Sequence, residues 1–228
     1  MNKAIYDLHI ANKNYSSWSL RPWVLMKVLE IPFHEYVHFI NADKTDFLKL
    51  SPTGKLPLLV DGNLKIWDSL AIIEYLYESF PQIWPKNKEA RAYARSAAAE
   101  MHSSFSAIRN HCGMSCGIRA QLKKYPDDLM HDLKRLQQLW HEGLSRFNGP
   151  FLAGDAFTAV DAFFCPVAFR VQTFSLNLEK EAMDYVTRLL SLPAMQEWYA
   201  SALNERAREA EHEQEVIDIM TEDLRISV

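Results

Sequence analysis

The chain has 228 residues, a formal net charge of -4, 48% hydrophobic and 12% aromatic residues; that suits one large or two small domains with a packed core, and without a long basic run a nucleic-acid partner is not expected. No apolar stretch reaches the roughly 20 residues needed to cross a bilayer, so no membrane span is expected. The first residues lack the apolar core of a secretory signal, and three cysteines, an odd number, point to a reducing cytoplasm rather than a disulfide framework.

In chain order, Ile5 to Ile10 reads as a strand. Tyr15 to Arg21 is a polar and aromatic loop entering a helix, with Pro22 expected in the first turn, where a missing N–H costs little. Trp23 to Leu29 continues that helix, and Phe33 to Ile40 alternates as a second strand. After an ill-defined segment, Leu56 to Val60 and Leu64 to Trp67 flank Asp61-Gly62-Asn63 as a hairpin. Ser69 opens a helix that Pro81 ends. This order describes an α/β unit over residues 1–80, with 81–88 as linker.

Residues 89–228 show no convincing strand and read as all-helical. Ala90 to His111 is an alanine-rich helix; Asp127 to Phe147 carries an apolar stripe through Leu129, Leu133, Leu136, Trp140 and Leu144. Helices also fit Thr158 to Phe174, with Pro166 kinking it, Glu179 to Leu190 and Pro193 to Asn204. Glu205 to Val228, rich in charge, reads as a helix that frays.

Three local patterns carry chemistry. Tyr15-Ser16-Ser17-Trp18-Ser19-Leu20-Arg21 places hydroxyls at a helix N-terminus, where free N–H groups and a partial positive charge favour an anion such as a thiolate. The same hydroxyls could simply cap the helix. Ser51-Pro52-Thr53-Gly54-Lys55-Leu56-Pro57 sets a proline ahead of an apolar strand, which suggests an exposed backbone edge. If that bond is cis, Leu56 offers its N–H and C=O to an extended peptide; an ordinary turn with a surface lysine is the plainer alternative. Asp68-Ser69 opens a helix, either as a plain cap or as a site for a carboxylate beside an ammonium.

Other groups are weaker. His102, Phe105, Arg109 and Cys112 recur near helical spacing and either line a pocket or divide between core and surface of one helix. Cys112 and Cys116 match no common zinc spacing, so no metal is expected, and Cys165 reads as core. No nucleophile elbow surrounds any serine, which speaks against a serine hydrolase. Thr158 with Asp161 three residues on is a capping box whose role is folding.

Taken together, "YSSWSLRPW", "SPTGKLPLLVDGNLKIWDSLAIIEYL" and "FLAGDAFTAVDAFFCPV" make the chain resemble the cytosolic glutathione transferase family over nearly its whole length. The resemblance implies a thioredoxin-like domain followed by an all-helical bundle, glutathione as co-substrate, a small electrophile as second substrate, and a homodimer. It implies Ser16 as the group that activates the thiol, as in the serine-type zeta and tau classes, with Ser17 as the alternative. Lys55, and more loosely Lys44, would meet the glycyl carboxylate; Leu56 ahead of cis-Pro57 would hold the cysteinyl backbone; Asp68 and Ser69 would hold the γ-glutamyl end. His102, Phe105, Arg109 and Cys112 would shape the second-substrate pocket. Trp18 stands where the zeta class has a cysteine, which weakens the case for maleylacetoacetate isomerisation. A glutathione-dependent isomerase, peroxidase or dehalogenase, and a non-catalytic interaction protein on the same fold, remain the competing readings.

Overall fold

The structure is a computed structural model that describes residues 5–39 and 45–226. The first part contains β1 (Tyr6–Ala11), α1 (Ser17–Val28), β2 (Phe33–His38), α2 (Thr45–Leu50), β3 (Leu58–Asp61), β4 (Leu64–Ile66) and α3 (Ser69–Tyr77). The strands form one mixed sheet in the order β2-β1-β3-β4. β1 and β2 run parallel with Tyr6 opposite Phe33, a pairing that requires a crossover, and α1 supplies it. β3 returns antiparallel to β1 with Leu8 opposite Leu59, and β4 closes a tight hairpin on it. Gly62 turns that hairpin at φ +57°, a left-handed conformation that glycine adopts without a Cβ penalty.

α4 (Lys88–Ser103), α5 (Ser106–His111), α6 (Asp127–Phe147), α7 (Ala159–Phe174), α8 (Lys180–Leu190) and α9 (Pro193–Asn204) make the helical part. α7 lies at its centre: all its residues but Gln172 are buried. It opens on a capping box between Thr158 and Asp161. The Asp161 carboxylate also accepts from the Leu152 N–H at 3.0 Å and from the Tyr185 hydroxyl at 2.8 Å, so one buried acid ties three segments. α1 packs against α3 on one side and against α7 and α9 on the other. It is therefore buried almost all round, including Leu20, Trp23, Val24 and Leu25, and the sheet and helical parts share one continuous core.

Four expectations need correction. Helix α1 begins at Ser17, so Pro22 lies beyond its first turn rather than within it. The ill-defined stretch before Leu56 holds α2, whose few apolar residues gave no readable period. Ala90 to His111 is two helices, not one. Phe105 takes a left-handed φ of 56° at the break, and Asp132 of α6 caps α5 by accepting from the N–H groups of Ala107 and Ile108. That cap comes from a side chain distant in sequence, so local patterning cannot reveal it. Finally, the helical part does contain strands: β5 (Ile118–Ala120) pairs antiparallel with β6 (Met220–Asp223), which follows a short helix, α10 (Ala210–Val216). The tail expected to fray instead folds back across the molecule.

Candidate active site

A cleft of about 640 Å³ opens where the β1–α1 loop, the segment before β3, the helical part and the tail converge. Tyr15, Ser16, Ser17 and Trp18 line it from the loop, and Thr53, Gly54, Lys55 and Leu56 from the facing segment. Ser16 is the N-cap of α1: its Oγ accepts from the Ser19 N–H at 3.4 Å and lies 2.7 Å from Ser19 Oγ. Ser19 Oγ in turn accepts from the Ala11 N–H at 3.2 Å. The hydroxyl expected to meet an anion is thus also the one that caps the helix. The Ser16 hydroxyl donates its proton to Ser19 Oγ across that 2.7 Å contact, so it must turn from Ser19 to donate into the cleft. Ser17 also lines the cleft but is buried, whereas Ser16 is half-buried.

Gly54, at φ +64°, makes the turn that delivers Lys55 and Leu56 to the cleft, with the Leu48 side chain packed close against it. The Leu56–Pro57 peptide bond is cis, and Lys55 is exposed at the mouth. Lys44 lies outside the described residues.

Asp68 and Ser69 sit at the N-terminus of α3 and are not part of the cleft wall; Trp18 and His102 link the wall to Asp68. The Trp18 ring meets His102 edge-on at 5.2 Å, and His102 Nε2 lies 3.3 Å from Asp68 Oδ2. Asp68 Oδ1 caps α3 by accepting from the Leu70 N–H at 3.0 Å. The Ser69 hydroxyl is fully buried and has no hydrogen-bond partner among the described residues. A buried hydroxyl left unpaired is costly.

Of the residues expected to shape the second-substrate pocket, Arg109 lines the cleft, His102 holds Asp68, and Phe105 and Cys112 are buried in the core. Phe105 and Cys112 flank the short helix that the break creates, so a single helical face no longer unites the four. The wall on that side is instead made by Arg109, Gly113, Met114 and Arg170, with Glu209, His212 and Glu215 from the tail. Arg170 carried a readable signal, being the one charge between Asp161 and the end of a mostly apolar helix. The tail residues carried none.

The electrostatics behind the loop are cationic. Arg21 is 1% exposed, lies 4.1 Å from the Trp18 ring and 4.8 Å from the Phe163 ring, and its Nε and Nη1 have no acceptor among the described residues. Burial, together with Arg109 and Arg170 nearby, lowers Arg21 to about 9. Burial likewise lowers Arg170 to about 10, so both are still charged at neutral pH. A helix N-terminus, a hydroxyl and these guanidinium groups all favour an anion at the loop.

Comparison with known proteins gives a consistent picture. Residues 15–79 match the family model "Glutathione S-transferase, N-terminal domain" and residues 84–193 match "Glutathione S-transferase, C-terminal domain". Glutathione S-transferase 1 of Dianthus caryophyllus is 30% identical over 158 residues, 66% of this chain and 70% of that protein. Glutathione S-transferase hmp2 of Hypomyces subiculosus is 28% identical over 213 residues, 85% of this chain and 99% of that protein. A crystal structure of a glutathione transferase homolog from Burkholderia GL BGR1 with bound glutathione superposes with a TM-score of 0.65 at 19% identity, over 86% of this chain and 97% of that one.

Proposed function

The chain belongs to the glutathione S-transferase family, and on that premise we propose that it binds glutathione, stabilises its thiolate at Ser16 and adds it to a small electrophile. The observation that carries this reading is the cleft itself, which sets the Ser16 hydroxyl at the α1 N-terminus opposite the Lys55–Leu56 edge. Glutathione would lie extended along that edge, its cysteinyl backbone on the N–H and C=O of Leu56, in the manner of an added strand. Lys55 would meet the glycyl carboxylate. Ser69 and the α3 N-terminus would take the γ-glutamyl carboxylate, with Asp68 near the ammonium. The unpaired Ser69 hydroxyl supports this fit, because a carboxylate oxygen supplies the acceptor that it lacks.

In the proposed reaction the sulfur lone pair forms the new C–S bond as the leaving group departs with its electron pair. A free thiol of pKa about 8.5 is roughly 3% ionised at pH 7. Lowering that pKa by about two units raises the thiolate fraction about 25-fold, but nucleophilicity falls about 8-fold, a net gain of only about 3-fold. Holding the electrophile beside the sulfur contributes far more. That task falls to Arg109, Met114, Arg170 and the tail residues Glu209, His212 and Glu215.

We assign residues 1–80 to the glutathione-binding domain and 89–228 to the helical one, take the working form to be a homodimer, and place it in the cytoplasm. No described helix is long and apolar enough to cross a membrane. Calorimetric titration with glutathione, followed by turnover of chlorinated nitroaromatics and hydroperoxides, tests the function. Absence of binding at millimolar glutathione would refute it, and sedimentation as a monomer at micromolar concentration would refute the dimer.

A further inference from the structure

We propose that the C-terminal tail is a positioning clamp for the thiol-activating loop, with Glu213 and Arg225 acting through Tyr15 on Ser16. This rests on the transferase reading above, and its residues lie beyond position 193, where the match to the family model ends.

The clamp grips the loop at two places. At the first, the Glu205 carboxylate accepts from the backbone N–H of Lys13 at 2.7 Å and of Asn14 at 3.1 Å. Asn14 answers through its side chain, donating to the Ala202 carbonyl at 2.6 Å and accepting from the Gly117 N–H at 3.1 Å. At the second, the Tyr15 hydroxyl donates to Glu213 Oε1 at 2.6 Å and accepts from Arg225 Nη1 at 3.0 Å. Arg225 pairs with both oxygens of Glu213 and with Asp223, and its side chain is 1% exposed. Every polar group of this second grip is therefore matched, which confines the Tyr15 ring to one place.

Ser16 follows Tyr15 directly, in a turn where the N–H groups of both are held by the Asn12 carbonyl. A helix N-terminus left to itself frays, because its first N–H groups lack partners. Here the turn before it is fixed from outside, by segments about 190 to 210 residues away in sequence. Between the two grips, the same tail contributes Glu209, His212 and Glu215 to the cleft wall. One segment thus sets both the Ser16 hydroxyl and the surface the electrophile meets. Misplacing a reacting group by about 1 Å can cost on the order of a hundredfold in rate, so this anchoring bears on chemistry and not only on folding.

The test is Tyr15→Phe, which keeps the buried ring and deletes the two hydroxyl contacts, together with Glu213→Gln and the double variant, all in the full-length chain. The readout is the ultraviolet titration of bound glutathione's thiolate, with kcat and KM for glutathione measured alongside. In each single variant the titration midpoint should rise by about half a unit or more. kcat should fall more than KM rises, and the double variant should be no worse than the worse single, as coupled residues behave. Folded variants with a lowered melting temperature but an unchanged midpoint and unchanged kcat would overturn the proposal, leaving the tail a purely structural brace. Additive effects in the double variant would overturn the Tyr15–Glu213 coupling. A wild-type chain that shows no thiolate signal with glutathione would instead refute the transferase reading itself, before any variant is compared.

Discussion

Replacing Ser16 by Ala removes the hydroxyl that caps α1 and that the proposed function sets against the thiolate, and the two effects can be separated. As a cap, Ser16 accepts from the Ser19 N–H at 3.4 Å, a long contact. Its loss should cost about 1 kcal/mol of stability or somewhat less. As a donor to bound thiolate it would make a charge-assisted hydrogen bond worth about 1.5–3 kcal/mol, or roughly 1–2 pKa units. Turning towards the thiolate exchanges the neutral hydrogen bond that Ser16 donates to Ser19 Oγ at 2.7 Å for a stronger, charge-assisted one. The thiol of bound glutathione should therefore titrate about 1–2 units higher in Ser16→Ala. For a rise of about 1.5 units from about 6.5, about 8-fold less thiolate at about pH 7 is offset by about 5-fold greater nucleophilicity, so conjugation near neutral pH should fall only about 2-fold. The loss should shrink at higher pH, and glutathione affinity at low pH, where the thiol is neutral in both proteins, should barely change. The assay is thiolate absorbance against pH, with rates on a chlorinated nitroaromatic. Ser17→Ala, altering a buried hydroxyl, should do less. An unchanged midpoint in Ser16→Ala with a raised one in Ser17→Ala would move the role by one residue. No change in either would assign the thiolate to the helix N-terminus and the cationic interior alone.

Ser69→Ala should separate binding from stability: removing a buried, unpaired hydroxyl should leave the melting temperature unchanged or raised, while glutathione affinity falls about tenfold or more, a split visible by calorimetry alongside thermal melts. Thr158→Ala should cost about 1 kcal/mol as a lost cap, and Asp161→Asn more, because Asp161 accepts from four donors in three segments. Burial raises the Asp161 carboxyl to about 6, so the folded state holds its proton more tightly than the unfolded chain and stability falls as pH climbs from about 4 to about 6. The advantage of wild type over Asp161→Asn in thermal melts should accordingly widen as pH drops through that window; a narrowing would mean that the four donors outweigh burial. Cys112, Cys116 and Cys165 are all buried, and burial raises each thiol, Cys112 to about 12. Native protein should resist thiol reagents that label all three in denaturant, and rapid labelling of the native form would contradict this burial.

What the sequence by itself determined lies where the physics is local. The hairpin follows from Asp61-Gly62-Asn63, α3 from Asp68-Ser69 ahead of its apolar residues, and α6 from a stripe that recurs every three or four residues. The Thr158–Asp161 box is likewise a matter of two residues three apart. The serines ahead of α1 and the proline ahead of β3 were readable as candidates for the same reason: the chemistry sits in a few consecutive residues. What only the tertiary structure decided involves partners far apart in the chain. The break at Phe105 depends on Asp132 of another helix, and the tail strand β6 exists because β5 offers it an edge. Arg170 belongs to the cleft because α7 passes behind α1, and Tyr15 is fixed by residues near the opposite terminus. Backbone periodicity and capping are set by neighbours within about one helical turn. The far wall of the cleft is assembled by packing between segments that have no shared pattern, so the part of the site closest to a sequence motif was legible and the wall proposed to meet the electrophile was not.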